Sequence, residues 1–378
     1  MKIATNIILV LLLSPLAIVS TPALDNADSL RALLQDPALE GKERSLTYAR
    51  FAREITVVDP DSAIRKGFTG LQAAREVNSQ DGLALNYLAI GAAYLSLDSL
   101  DRAMHHLTLA CDHARLTETP SDYLQSWFQL GYVQEISTNY AAATQIYLEG
   151  LALAEEAGDS VYIPKFLNNL AIVQDKAGEW ELSLRNYSRA AAYFSALGMQ
   201  IQLGYTLNNA GMVYYNMGVL DSARSCYHDA SMIFREERDL YGLTNISMNM
   251  GDLFLAKDSV SDAIDWYRRA VLLADSLKNT RLSELPAFQI SAAHAGLGHA
   301  LYLGSTYDEA IKHLRIAHML AIKLNNYSLL FDASSDLADI YSHTGKPDSS
   351  IHYYKLSLAF ADSLQKSIVS DNIARKMY

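Results

Sequence analysis

The chain has 378 residues, half of them hydrophobic, with 31 Lys+Arg against 42 Asp+Glu and a formal net charge of −11. Such an acidic chain repels nucleic acid and anionic membrane surfaces, so neither is expected as a partner. Only eight prolines interrupt it, and Ala, Leu and Tyr recur at helical spacing, which predicts an all-α protein.

First in chain order comes an expected signal peptide over 1–23. Lys2 precedes an apolar run from Ile7 to Val19, broken at Ser14 and Pro15, and Thr21 and Ala23 suit the small positions before a cleavage point. The run is shorter than the roughly 20 apolar residues that span a bilayer, so no transmembrane segment is expected after its removal. No Cys follows it to carry a lipid. An exported, periplasmic or extracytoplasmic protein is the expectation, with residues 24–43 as a lead-in or cap.

From residue 44 to 365 the chain is a tandem array of eight units. A small residue recurs at Ala63, Ala103, Ala143, Ser183, Ala223, Ala263, Ala310 and Ser350, at intervals of 40 residues with a single interval of 47. A fixed period of this length marks a solenoid, in which each unit buries its apolar face against its neighbours. With the recurring residue numbered 20, position 8 is Gly91, Gly131, Ala171, Gly211, Gly251, Gly298 and Ala338 in units two to eight. Position 27 is small in every unit, from Gly70 to Ser357. Glycine inside a helix costs about 1 kcal/mol relative to alanine, so its recurrence predicts close approach of two helix backbones at positions 8, 20 and 27. Tyr147, Tyr187, Tyr227, Tyr267 and Tyr354 fill position 24, with Leu107 and Leu314 in units two and seven and Gly67 in unit one.

Each unit is therefore expected to be an antiparallel helix pair. Its internal turn falls near position 15, at Asp98, Gly178, Gly218, Asp258 and Gly345, and its second helix stops near position 35, at Asn78, Gly158, Gly198 and Asn325. Asp or Ser ahead of position 20 suits a cap on the second helix. Unit one, with Phe51 at position 8, is atypical as terminal repeats often are. A seven-residue insertion near 280–287, around Ser283 to Pro286, separates units six and seven.

This pattern resembles the tetratricopeptide repeat family, whose signature is a small residue at 8, an aromatic at 11, Ala at 20, an aromatic at 24 and Ala at 27. The resemblance implies a right-handed superhelical solenoid of about eight helix pairs. Ser183 and Ser350 depart from the family's Ala, the period is 40 rather than 34, and position 32 lacks the family's Pro. The resemblance further implies that positions 2, 5, 6, 9 and 12 of each first helix line a concave face. There, Lys165, Asn168 and Asn169 in unit four are followed by Asn208, Asn209, Met212 and Tyr215 in unit five, then Asn245, Met248, Asn249 and Asp252 in unit six.

Position 6 thus carries Asn169, Asn209 and Asn249 in succession. Asparagine competes with the helix backbone for hydrogen bonds, so its repetition needs a reason. The stretch FLNNLAIVQDKAGEWELSLRNYSRA resembles repeats of kinesin light chains and related peptide-binding arrays, in which this asparagine contacts the ligand main chain. Two readings stand: the amides meet a peptide, or they bond to adjacent helices and hold the array together. Phe128 and Tyr132 in unit three and His299 and Tyr302 in unit seven suit either an apolar anchor on the groove wall or packing against the next unit. Asp332, Asp336 and Asp339 share one face of unit eight, as an acidic end for a basic segment or a hard cation, or as a solvated surface.

No residue pattern calls for a cofactor or metal. His105, His106, Cys111 and His113 lie on one second helix without the convergence of a zinc site, and Gly296 with Gly298 follows no strand. Cys111 and Cys226 are three repeats apart, too far for a disulfide, and read as small core residues. Asp-Ser before an apolar residue, as at Asp61, Asp221 and Asp258, suits helix capping and also resembles a bacterial O-glycosylation acceptor. Residues 366–378 form a helical tail whose Ile368, Val369, Ile373 and Met377 suit capping the stack or pairing two chains.

A non-catalytic scaffold follows, binding an extended peptide or a partner helix in the concave groove as a periplasmic adaptor. The end of unit eight, YYKLSLAFADSLQKSIVSDNIARKMY, resembles the close of the extracytoplasmic array in bacterial sensors, so the alternative is a sensory input module whose output domain lies elsewhere. A spacer and, more remotely, an enzyme with a solenoid body complete the readings.

Overall fold

The structure, a computed structural model, describes residues 21–277 and 285–376. Most of the expected signal peptide and of the insertion between units six and seven lies outside the described residues, as do the side chains of the tail from 366. Among the described residues there is no strand, and no helix is long and apolar enough to cross a membrane.

The chain divides into two compact units, Ile8–Tyr193 and Phe194–Tyr378. In the first, α1 (Thr21–Leu33) leads into the hairpins α2 (Gly41–Ile55) with α3 (Pro60–Glu76) and α4 (Gln80–Ser96) with α5 (Leu100–Ala114). After a 3₁₀ turn, Pro120–Tyr123, come α6 (Leu124–Ile136) with α7 (Tyr140–Ala157) and α8 (Tyr162–Lys176) with α9 (Trp180–Ala196). The second unit holds α10 (Gln200–Asn216) with α11 (Leu220–Glu236), α12 (Leu240–Ala256) with α13 (Val260–Ser276), α14 (Leu285–Leu303) with α15 (Tyr307–Lys323), and α16 (Tyr327–His343) with α17 (Pro347–Lys376). The expected all-α array of helix pairs is the fold that forms.

Helices stop where the sequence places their ends. Asn78, Asp98, Gly158, Gly178, Gly198, Gly218, Asp258, Asn325 and Gly345 all have positive φ, and the amide just beyond each closes back five residues, as Glu179 does onto the Gln174 carbonyl at 2.8 Å. This closure satisfies carbonyls that the helix end would otherwise orphan. Thr138, Arg238 and Ser305 take the same left-handed conformation without the usual residue type. Replacing Arg238, at φ 56°, with Gly is expected to raise stability by about 1 kcal/mol in urea unfolding, because the side chain's clash with the backbone disappears. An unchanged midpoint would show that Arg238 carries no such strain. The expected caps on second helices are less regular: Asp59 accepts from the Ser62 amide at 2.9 Å, whereas Ser99 and Ser259 cap nothing.

The small positions do their packing through side chains more than through backbone contact. A Cβ at Gly211 would lie 2.5 Å from the Tyr227 ring and one at Gly251 2.7 Å from the Tyr267 ring, so position 8 is a slot for the position-24 residue of the same pair. The backbone also comes close at Gly91 and Gly298, where a Cβ would sit 3.3 or 3.2 Å from the amide nitrogen of Leu107 or Leu314. Where position 20 is Ser, position 8 is Ala, and the hydroxyl donates to its carbonyl: Ser183 to Ala171 at 2.7 Å and Ser350 to Ala338 at 2.9 Å. The departures from Ala at position 20 therefore add a buried hydrogen bond between the paired helices, worth about 1 kcal/mol.

Candidate functional site

In the second unit the first helices of four successive pairs, α10, α12, α14 and α16, enclose a cleft of about 310 Å³. Their contributions fall on the positions expected to face inward: Asn208 and Tyr215 from α10, Asn245, Met248, Asn249, Asp252 and Leu255 from α12, His299 from α14, Asp332 and Asp336 from α16. Tyr267 from α13 and Leu314 from α15, both at position 24, close it from behind, and Ala292, Ala295 and Gly296 keep the α14 wall low.

Two amides tie α10 to α12 here. Asn249 Nδ2 donates to Asn208 Oδ1 at 2.8 Å, and Asn208 Nδ2 reaches Asn209 Oδ1 at 3.4 Å and the Met212 sulfur at 3.8 Å. Two carboxylates have fixed partners. Tyr267 donates its hydroxyl to Asp252, and His299 Nδ1 lies 2.9 Å from Asp336 Oδ2. Burial pushes the Asp252 carboxyl up to about 6, against the opposing pull of the Tyr267 hydrogen bond and of His299. Burial also raises the Tyr215 phenol, with the charge of Asp252 adding to it.

The three aspartates of unit eight do not act as one face. Asp336 is only 5% exposed, which removes it from a solvated surface, and it joins Asp332 in the cleft. Asp339 is spent on Tyr354, whose hydroxyl donates to it at 2.5 Å. Tyr302 packs among His299, Tyr307 and His343, with ring centroids 6.1–6.4 Å away. Met212 and Asn209 are buried beside the cleft rather than lining it.

The residues expected on the groove in the first unit sit in its packed interior or at its edge. Asn169 is 3% exposed, and its Nδ2 donates to the Tyr147 hydroxyl at 3.1 Å while its Oδ1 accepts from Asn168 at 3.3 Å. Tyr147, fully buried, in turn donates to Glu135 Oε2 at 2.9 Å. Burial pushes the Glu135 carboxyl up to about 7, with Tyr147 and Lys176 pulling the other way. Phe128 packs against Phe166, Tyr162 and Tyr147 at 6.0–6.5 Å between centroids, the packing alternative of the two readings. Tyr132 is half-buried, its phenol pushed up to about 12 by burial. Lys165 stacks its ammonium 4.6 Å from the Tyr162 ring centre, and burial lowers its pKa.

No three ligating side chains converge to hold a metal among the described residues. His106 is stacked between Tyr87 and Tyr94 and pushed down to about 4 by burial, while His113 meets Gln80 at 2.8 Å. Cys111 is buried and Cys226 half-buried, both as free thiols. Sequence reasoning missed the pairing of position-24 tyrosines with carboxylates, Tyr147 with Glu135, Tyr267 with Asp252 and Tyr354 with Asp339. The signal was present as an acid at position 9 or 12 wherever those three tyrosines occur.

No family model matches the chain. Over 118 residues it is 27% identical to response regulator aspartate phosphatase I of Bacillus subtilis (strain 168), a stretch that takes in 30% of this chain and 28% of that protein. Among solved structures, the apo form of the quorum sensor NprR from B. thuringiensis is similar over 90% of this chain and 94% of its own, at 15% identity and a TM-score of 0.65. A Rap protein complexed with competence and sporulation factor is similar over 86% of this chain and 99% of its own, at 14% identity and a TM-score of 0.56. A signal transduction ATPase with a tetratricopeptide repeat sensor from Pyrococcus horikoshii is similar over 92% of this chain and 53% of its own, at 11% identity and a TM-score of 0.62. At these identities the likeness concerns the fold, a helical-repeat array of the tetratricopeptide type.

Proposed function

We propose that the chain is a non-catalytic protein–protein interaction scaffold that takes an extended peptide or a partner's helix on the first helices of its second unit, as an exported adaptor. The cleft carries this reading, since its walls come from the repeat positions that face a ligand in tetratricopeptide arrays, and they combine amides, carboxylates and apolar side chains. An amide donates and accepts at once, which suits the N–H and C=O groups of an extended main chain of any sequence. Asn208, Asn245 and Asn249 take that role in preference to Asn169 and Asn209, which do not line the cleft.

A sensory role is the second reading, favoured by the solved neighbours that are a quorum sensor and a tetratricopeptide repeat sensor. The same ligand cleft would then serve as input to a separate output protein. The aspartate phosphatase with which the chain shares a stretch of sequence makes loss of phosphate from a phosphorylated regulator the activity to assay beside binding.

Selection of a displayed random peptide library on the purified protein tests the reading. Enrichment is expected with the parent, and a drop of at least about tenfold is expected when Asn208 and Asn249 are both replaced by Ala, since each truncation removes hydrogen bonds worth about 1 kcal/mol. Equal enrichment in a folded Asn208→Ala/Asn249→Ala variant, or none in the parent, would sink it.

A further inference from the structure

The cleft has a chemistry narrower than main-chain recognition. Met248, Leu255, Leu314 and Leu329 supply an apolar lining, while Asp252, Asp332 and Asp336 bring three carboxyl groups into the same space, and among the described residues no Lys or Arg lines it. His299 is committed to Asp336, and Tyr267 to Asp252. An enclosure with apolar walls and three lining carboxyl groups matches an amphipathic cation, which buries an aliphatic stem and keeps its charged head among acceptors. Its volume lies at the small end of ligand sites, the scale of a single long side chain with its flanking backbone.

Resting on the peptide-groove reading, we infer that this cleft is a pocket for one basic side chain, lysine or arginine, of the bound segment, with Asp252 and Asp336 as its counter-charges. Both carboxylates sit on different helices, α12 and α16, so a guanidinium or ammonium between them bridges the pairs that flank α14. The same geometry couples binding to protons. Asp252 faces Tyr215 on α10, Tyr227 on α11, Tyr267 on α13 and His299 on α14, with Asp332 and Asp336 on α16 lining the same space. Its carboxyl is pushed up to about 6, so near pH 5 about nine molecules in ten carry a proton that the incoming cation must displace. Binding therefore weakens about tenfold between about pH 7.5 and pH 5.

The Met248 methyl group reports directly on the cleft. With methionine methyls labelled by carbon-13 and Met248 assigned through Met248→Leu, N-acetyl-argininamide is expected to shift this resonance saturably in the millimolar range. N-acetyl-citrullinamide, of the same shape without the charge, is expected to act at least about tenfold more weakly. Asp252→Asn, checked for an unchanged thermal midpoint, is expected to weaken the argininamide response and to reduce its pH dependence. Equal shifts from both probes, or no shift from either up to about 50 mM, would overturn the inference whether or not the variant folds. Such a result, with library peptides still enriched in an Asn208- and Asn249-dependent way, removes the cation pocket and leaves the groove reading. Loss of both removes both.

Discussion

Replacing Glu135 with Gln is expected to flatten the pH dependence of stability in the first unit by as much as about 3 kcal/mol between pH 4.5 and 7. Glu135 is 6% exposed, accepts from Tyr147, and has its carboxyl pushed up to about 7 from an ordinary value of 4.5. In that window the folded state holds a proton that the unfolded chain has released, so the contribution is full below pH 4.5 and is lost as pH rises towards 7. Desolvation of the carboxylate is the cause, and the Tyr147 bond offsets only part of it. Gln keeps an acceptor for the Tyr147 hydroxyl but cannot ionise, so above pH 7 the variant is expected to be the more stable chain. Urea unfolding at a series of pH values, followed through amide exchange in α6 and α7, reads the difference. Parallel pH profiles for the parent and Glu135→Gln would mean that the carboxyl titrates at its ordinary value and that water reaches it.

The same residue shows where sequence reading stops. The fold was legible because its determinants are local and repeated: a small residue at positions 8, 20 and 27, an aromatic or Leu at 24, and Gly, Asn or Asp at the left-handed helix ends. The cleft is lined from positions that only the family resemblance implies to face inward. Which of them stay open to a ligand was not legible. Asn169 and Asn249 share position 6, yet the first is drawn under Tyr147 and the second remains half-buried on Asn208. The difference depends on the neighbour in the adjacent pair, a contact between units about 40 residues apart in sequence. Glu135 at position 12 meets Tyr147 within its own pair; the acid was visible there in the sequence, but its burial was not.

Gly296→Ala is expected to destabilise the second unit by about 1–3 kcal/mol, although alanine at an open helix site gains about 1 kcal/mol over glycine. Gly296 occupies position 6 of α14, where the three preceding pairs carry asparagine. A Cβ there would overlap the Tyr267 ring, and on the opposite side a Cβ at Gly251 would lie 2.7 Å from the same ring. Tyr267 thus fills a slot cut by two glycines, is 3% exposed, and is held by its hydroxyl on Asp252. It has no free direction of retreat, so added volume on α14 must push the helices apart or expel the ring. The two outcomes differ in the cleft, because expulsion frees Asp252 from its donor. Tyr267→Leu in the same chain supplies the cycle: with the ring gone, adding the Gly296 methyl is expected to lose its penalty, giving an interaction of at least about 1 kcal/mol. A penalty for Gly296→Ala that is the same in both backgrounds would place the constraint on the α14 backbone instead. The absence of asparagine after Asn249 is then a packing requirement of Tyr267, and the low wall it leaves on α14 is what opens the cleft between α12 and α16.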